Sequence, residues 1–556
     1  MLKSKKKKKS QKGKKQSEQP PLSLKEQLAK KRQAQETRKK LISLVSGSLF
    51  FGIAVGLPLA FAVKPLIGAA IAAGIPCLVL SYVYPRQALW FFLIYLPFSG
   101  TVQYQIMGGN AIFSLAKDAF FIPAMLGLMQ ECKQKKQPFM VPKKLLTTLW
   151  LLLGFSLLTL FLVNLPLQLS GEAKGNPFPQ GILGLKVLLG YVPLIFCAYY
   201  LIENKKQLLF LARLHLILAI ICCLLGIVQY WMLDSGRCEG TRNATGVDLF
   251  TASIEAKCFV GGSLTFSPSE NQIRLPGTLP SPWHWAWFLI PNSALTFTVA
   301  FCDPKNVWRI TGLVGMALVF INAVISGQRI ALALVPVVTV FLLILTGQIT
   351  NLKRFLPIGI GLGILLFGVM VSNPTVVQER IDSFVTRWQA SPPTKFIEEQ
   401  FGWAIKEQEG IFGRGLGTAT NSTRIFGKTV LVETFHPKIL YEMGWFGLLG
   451  FLIFVTHLMV VAFQSRQSIK EKTLRSFASS YWVFLLIISY FPYWYPLDTD
   501  PVAVYYWFFA GVIYKLPEID KQEQEAKLKA AQENPELETK AGKKNGRRSL
   551  SRSSRR

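Results

Sequence analysis

The feature that most constrains this chain is a series of long apolar segments separated by short, lysine- and arginine-rich connections. Segments such as LISLVSGSLFFGIAVGLPLAFAV (41–63) and LLFLARLHLILAIICCLLGIVQYWM (208–232) are almost free of charge. A helix of about 18 or more mostly apolar residues crosses a hydrocarbon core of about 30 Å. Only 17% of the residues are charged, against roughly 25% in soluble domains, and many of those lie in the two tails. The pattern predicts an all-α polytopic membrane protein.

We read about fourteen spans from the apolar runs. They lie near 41–63, 66–84, 87–100, 111–129, 145–166, 182–202 and 208–232, then near 283–301, 310–326, 330–347, 355–372, 438–463, 476–495 and 500–515. The third and the last are short. With the N-terminal tail inside, the even-numbered connections are PR (85–86), ECKQKKQPFMVPKK, ENKKQ, CDPKNVWR, TNLKR and SRQSIKEKTLR. All but the first are visibly basic, and basic short loops stay in the cytoplasm. The reading is a multi-pass protein of the plasma (inner) membrane with both termini cytoplasmic.

Three regions follow: a basic tail (1–40) expected to be disordered, the membrane domain (41–515) and a charged tail (516–556). The net charge of +31 would suggest nucleic acid in a soluble protein. Here KSKKKKKSQKGKKQ and KKNGRRSLSRSSRR are low-complexity runs without an aromatic platform. They fit attraction to anionic lipids and no nucleic-acid partner. No cleavable signal peptide is read, because the first apolar segment is too long for one.

Two long loops fall outside, 233–282 and 373–437. The second contains helix-like TKFIEEQFGWAIKEQ and glycine-punctuated GIFGRGLGTATNSTR, and is expected to form a partly helical lid. Of the eight cysteines, only Cys238 and Cys258 lie outside, where an oxidising compartment favours a bridge between them.

The four histidines show no HxxH or HExxH spacing, and no phosphate-binding glycine loop or nucleophile elbow is present. We therefore expect no metal and no cofactor. Two external arginines stand at the membrane boundary: Arg329 in VISGQRIALAL and Arg274 in QIRLPGTLPSPW. Charge placed there usually faces a cavity and a partner, and guanidinium groups suit bidentate recognition of phosphate. Outward arginines would also suit an anion transporter. His436, at the external end of its span, is placed to accept a proton from a hydroxyl.

Three stretches together resemble the O-antigen ligase and O-antigen polymerase-like membrane proteins: FHPKILYEMGWFGLLG, ISGQRIALAL and RLPGTLPSPWHWAWFL. GIFGRGLGTATNS and DTDPVAVYYWFFAG fit the same resemblance. It implies a metal-independent glycosyltransferase that transfers oligosaccharide from a polyprenyl-diphosphate carrier to a glycan or lipid acceptor hydroxyl outside the cell. Arg274 and Arg329 would hold the diphosphate, and His436 would serve the acceptor. Glu442, Arg414 and Arg424 would support the site. Pro437 follows His436 where ligases commonly carry Asn, so polymerase and ligase both stay open. Some proteins of this superfamily have been proposed as bicarbonate transporters, which is the alternative function.

Overall fold

In lipid a chain must satisfy its backbone hydrogen bonds internally, which makes long apolar segments helical. The computed structural model describes residues 24–109, 116–138, 143–171, 175–249, 253–267, 272–349, 392–491 and 496–533, with isolated positions between 350 and 391. Among the described residues eight helices are long and apolar enough to cross a membrane: Lys25–Ala62, Pro65–Val83, Leu145–Ser170, Pro177–Leu201, Lys205–Asp234, Pro282–Cys302, Asn306–Ile325 and Phe435–Ser468. The chain is an all-α membrane protein. The span read over 355–372 and the loop start at 373–391 lie largely outside the described residues.

The described residues up to Leu80 form one unit. Its two helices, α1 (Leu24–Ala62) and α2 (Pro65–Val83), meet through small residues. A Cβ on Gly52 would lie 2.5 Å from the Ala72 carbonyl oxygen, and one on Gly56 2.4 Å from that of Gly68. Glycine on this seam lets two backbones approach closely in lipid. Of the tail expected to be disordered (1–40), residues 24–40 are helical, since α1 begins at Leu24, and 1–23 lie outside the described residues.

The second unit begins at Ser81. It contains α3 (Pro85–Tyr95), α4 (Asp118–Gln134), α5 (Leu145–Thr159), α6 (Leu165–Ser170), α7 (Pro177–Leu189), α8 (Leu194–Leu201) and α9 (Lys205–Asp234). A short antiparallel pair follows, β1 (Thr265–Ser267) and β2 (Gln272–Arg274). Then come α10 (Pro282–Cys302), α11 (Asn306–Ile325), α12 (Arg329–Leu345), α13 (Pro393–Glu407), α14 (Phe435–Ser468), α15 (Lys472–Tyr490) and α16 (Val502–Glu533). The short third span is extended, because helical turns continue past α3 to Ile106. Helix α16 runs 32 residues, past the 516 boundary into the charged tail as far as Glu533.

Helix α10 is the centre of this unit. Its apolar window is entirely buried, and it packs against α9, α11, α12, α15 and α16. Trp285, Trp287, Phe288 and Phe297 are fully enclosed, as expected of a helix that is apolar all round.

Loop contacts fall into two groups, one at each end of the helices. At one end Arg86 reaches Glu131 (3.4 Å) and Glu203 (2.5 Å), Lys205 faces Glu471 (3.6 Å), and the Asp520 carboxylate accepts from the backbone of Lys470 and Glu471 (both 2.9 Å). At the other end the Thr101 hydroxyl donates to the Val260 carbonyl (2.5 Å), Asn164 holds Leu416, and Gly175 bridges to Gly427. Apart from Asp520, which lies on α16, the residues of the first group sit in or beside the even-numbered connections, and those of the second group belong to other parts of the chain.

Candidate functional site

At the second end, the glycine-rich loop after α13 is pressed onto the start of α14. Gly444 interrupts α14 with φ 66°, ψ −166°, a left-handed conformation that favours glycine. A Cβ on it would fall 2.0 Å from the Ile411 carbonyl oxygen, and one on Gly413 would fall 2.6 Å from the Gly444 nitrogen. The two backbones touch because neither residue has a side chain.

Glu442 ties the same loop down. Its Oε1 accepts from the Ala419 N–H (2.8 Å) and the Thr420 hydroxyl (2.9 Å), and the residue is 5% exposed. Its backbone carbonyl accepts from the Gly415 N–H at 3.0 Å. From the far side, the Asn164 and Gln180 side chains bond to Leu416 and Gly417. Arg414, named from sequence as support, donates to the Glu407 carbonyl (2.7 Å) and pairs with Glu409 (2.8 Å). Its contacts join the loop to α13.

Arg329 is the first residue of α12, and Arg274 the last of β2, where its Nη2 donates to the Ser267 hydroxyl at 3.0 Å. Their segments are joined: the Leu275 N–H donates to the Ser326 carbonyl (3.0 Å), and Gly327 (φ 70°) lies against Gln272. The sequence named both arginines, and the fold brings their strands of chain together. The Cys238 and Cys258 sulfurs are bonded, with Cα atoms 5.8 Å apart. This ties a small apolar cluster of Cys258, Leu264, Ile273 and Leu275.

His436 stands in the first turn of α14, 6% exposed, edge-on to Phe435 and Phe451. Its Nδ1 has no hydrogen-bond partner among the described residues. Buried polar atoms are nearly always satisfied, so this unpaired nitrogen is an exception within the described residues.

Two groups were not singled out by sequence reasoning. Lys438 is 4% exposed and forms an ion pair with Asp498. Lys117 pairs with Asp500, and Lys186 with Asp118 at 2.7 Å. Lysine and aspartate are almost never enclosed unless paired. Their partners lie 60 and 383 residues apart for Lys438 and Lys117, so single-chain spacing carried no signal.

A cavity of about 480 Å³ opens where the glycine-rich loop, the start of α10 and the connection ahead of α16 converge. Its wall includes Trp283, His284, Asn421, Arg424, Lys438 and Asp498. Of the site residues named from sequence, Arg424 lines it; Arg274, Arg329, His436, Glu442 and Arg414 do not. Glu442 acts on it indirectly, since Ala419 and Thr420, which it holds, are also in the wall. No three histidine, cysteine, aspartate or glutamate side chains gather as a metal-ligand set among the described residues. No protein-family model matches the chain, and comparison with curated proteins found no match.

Proposed function

We propose that the chain is an extracytoplasmic glycan polymerase or ligase with about fourteen spans and both termini in the cytoplasm. It transfers an oligosaccharide from a polyprenyl-diphosphate carrier to a glycan or lipid hydroxyl. The basic connections assign the first end of the helices to the cytoplasm, so the glycine-rich loop, both arginine segments and the cavity face outward. The observation that carries the reading is His436: a buried imidazole with an unpaired nitrogen, on the same side as two boundary arginines.

In the reaction the bond between the anomeric carbon and the diphosphate oxygen breaks, and a bond to the acceptor oxygen forms. The acceptor proton passes to the His436 imidazole, the side-chain type most often used as a general base. Arg274 and Arg329 hold the diphosphate and stabilise the charge that it gains on leaving, which is electrostatic catalysis by fixed donors. Glu442 keeps the glycine-rich loop seated over the acceptor side. The basic tails rest on anionic lipid.

A glycan profile of a deletion strain tests this. Short lipid-linked repeats should accumulate and the long surface polysaccharide should disappear. Normal glycans with reduced bicarbonate uptake would instead identify an anion transporter.

A further inference from the structure

The transferase reading assigns no task to the cavity, yet its wall is specific. Trp283 presents an indole that is held in place: its Nε1 donates to the Thr499 hydroxyl (3.2 Å), and its ring meets Trp287 edge-on at 6.0 Å. Asp498 has a side chain only 10% exposed. One of its oxygens takes the Lys438 ammonium, while Oδ1 is buried with no hydrogen-bond partner among the described residues. An ionised carboxylate only accepts hydrogen bonds, so this oxygen calls for a ligand that donates one. Arg424, on the exposed 421–425 turn, donates Nε–H to the Asn421 carbonyl at 3.2 Å and has no carboxylate partner among the described residues. Asn421 and His284 add further donors and acceptors to the wall.

An aromatic face, an open carboxylate oxygen and neutral polar groups together match a sugar ring. The ring's C–H face packs on an aromatic, and its hydroxyls donate to the carboxylate. The charges in the wall sum to positive, since Lys438 and Asp498 cancel and Arg424 remains. A guanidinium favours an anionic group that can take two of its N–H donors.

We infer that this cavity is a saccharide-binding subsite for a sugar unit bearing a carboxylate or a phosphate, with Trp283 as platform, Asp498 as hydroxyl acceptor and Arg424 as the group that selects charge. The inference rests on the glycan-transfer reading for its biological sense, but binding can be measured without turnover. A volume of about 480 Å³ is of the size of small-molecule sites, which run from about 300 to 1,000 Å³.

The test uses the purified full-length protein and three matched probes. These are a neutral glucose trisaccharide, the same trisaccharide oxidised to a terminal glucuronate, and the same trisaccharide carrying a terminal 6-phosphate. Calorimetric titration should give about tenfold tighter binding for at least one acidic probe than for the neutral one, and the tighter of the two names the substituent. Arg424→Gln, an exposed position, should remove that preference by weakening the acidic probe at least about tenfold more than the neutral one. Trp283→Leu should weaken all three. Equal affinities in the wild type, no binding of any probe, or a preference that survives Arg424→Gln would each overturn the inference. Turnover of a lipid-linked glycan on the same preparation separates the two ideas. Selective binding without turnover removes the transferase reading and keeps the subsite; turnover without selectivity does the reverse.

Discussion

Glu442 and Thr420 are joined by a 2.9 Å hydrogen bond across 22 residues of chain, and the same carboxylate oxygen takes the Ala419 N–H at 2.8 Å. That oxygen satisfies two buried donors of the glycine-rich loop. Removing it leaves both without a partner, at about 1–3 kcal/mol for each unsatisfied group. Glu442→Ala should therefore destabilise the protein by about 2 kcal/mol or more. Glu442→Gln keeps a carbonyl oxygen in place and should be milder. Thermal unfolding of the purified variants in detergent checks the order.

Gly444 provides a sharper test of the same contact. Its φ of 66° and the Ile411 oxygen 2.0 Å from where a Cβ would sit make alanine unfit there on both counts. Gly444→Ala should lower the melting temperature strongly or abolish accumulation of folded protein. Gly402, inside α13 with nothing within 4 Å of its Cβ position, is the control. Alanine there should be neutral or stabilising by up to about 1 kcal/mol.

The Cys238–Cys258 bond closes a separation of 20 residues. In the chain-entropy account such a loop contributes on the order of 3 kcal/mol. Non-reduced peptides should contain the linked pair by mass spectrometry, and Cys238→Ser with Cys258→Ser should lower stability by that order. Two alkylatable thiols in protein recovered from the cell would contradict the pairing.

These sites were unequally legible in the sequence. The apolar runs of α9, α10, α11 and α14 announce themselves, because a bilayer-spanning helix needs little beyond length and hydropathy. The helix over Pro393–Glu407 was also readable, from the amphipathic TKFIEEQFGWAIKEQ. The ends of α1 and α16 were not. Leu24 to Lys40 and Leu516 to Glu533 are rich in helix-forming Lys, Glu, Gln and Ala, and charge density masked that propensity.

Within the site, Arg274 and Arg329 stood out because arginine is conspicuous at a membrane boundary. The Lys438–Asp498 and Lys117–Asp500 pairs did not, since each joins residues from separate connections. Trp283 and His284 looked like the ordinary start of a span. Only the convergence of three connections makes them a wall. The role of Glu442 could have been anticipated from one sign, a lone carboxylate ahead of a glycine in an otherwise apolar helix.

The two boundary arginines should be intolerant even of lysine. Arg329→Lys keeps the charge but loses the planar fork that meets two phosphate oxygens. It should reduce turnover at least about tenfold, equivalent to about 1.4 kcal/mol of transition-state stabilisation. Arg274→Lys should fall in the same direction by less, because β2 lies in a longer loop that can adjust. Steady-state rates on a lipid-diphosphate-linked oligosaccharide give both values.

The central claim is that this chain transfers glycan from a lipid diphosphate with His436 serving the acceptor. The direct measurement is turnover of a polyprenyl-diphosphate-linked oligosaccharide by purified wild-type protein and by His436→Ala of equal thermal stability. Wild type should elongate or transfer the glycan, and His436→Ala should lose roughly 10²–10⁴-fold, the usual range for a general base. No transfer by the wild type to any acceptor hydroxyl, or a His436→Ala rate equal to that of wild type, would contradict the account.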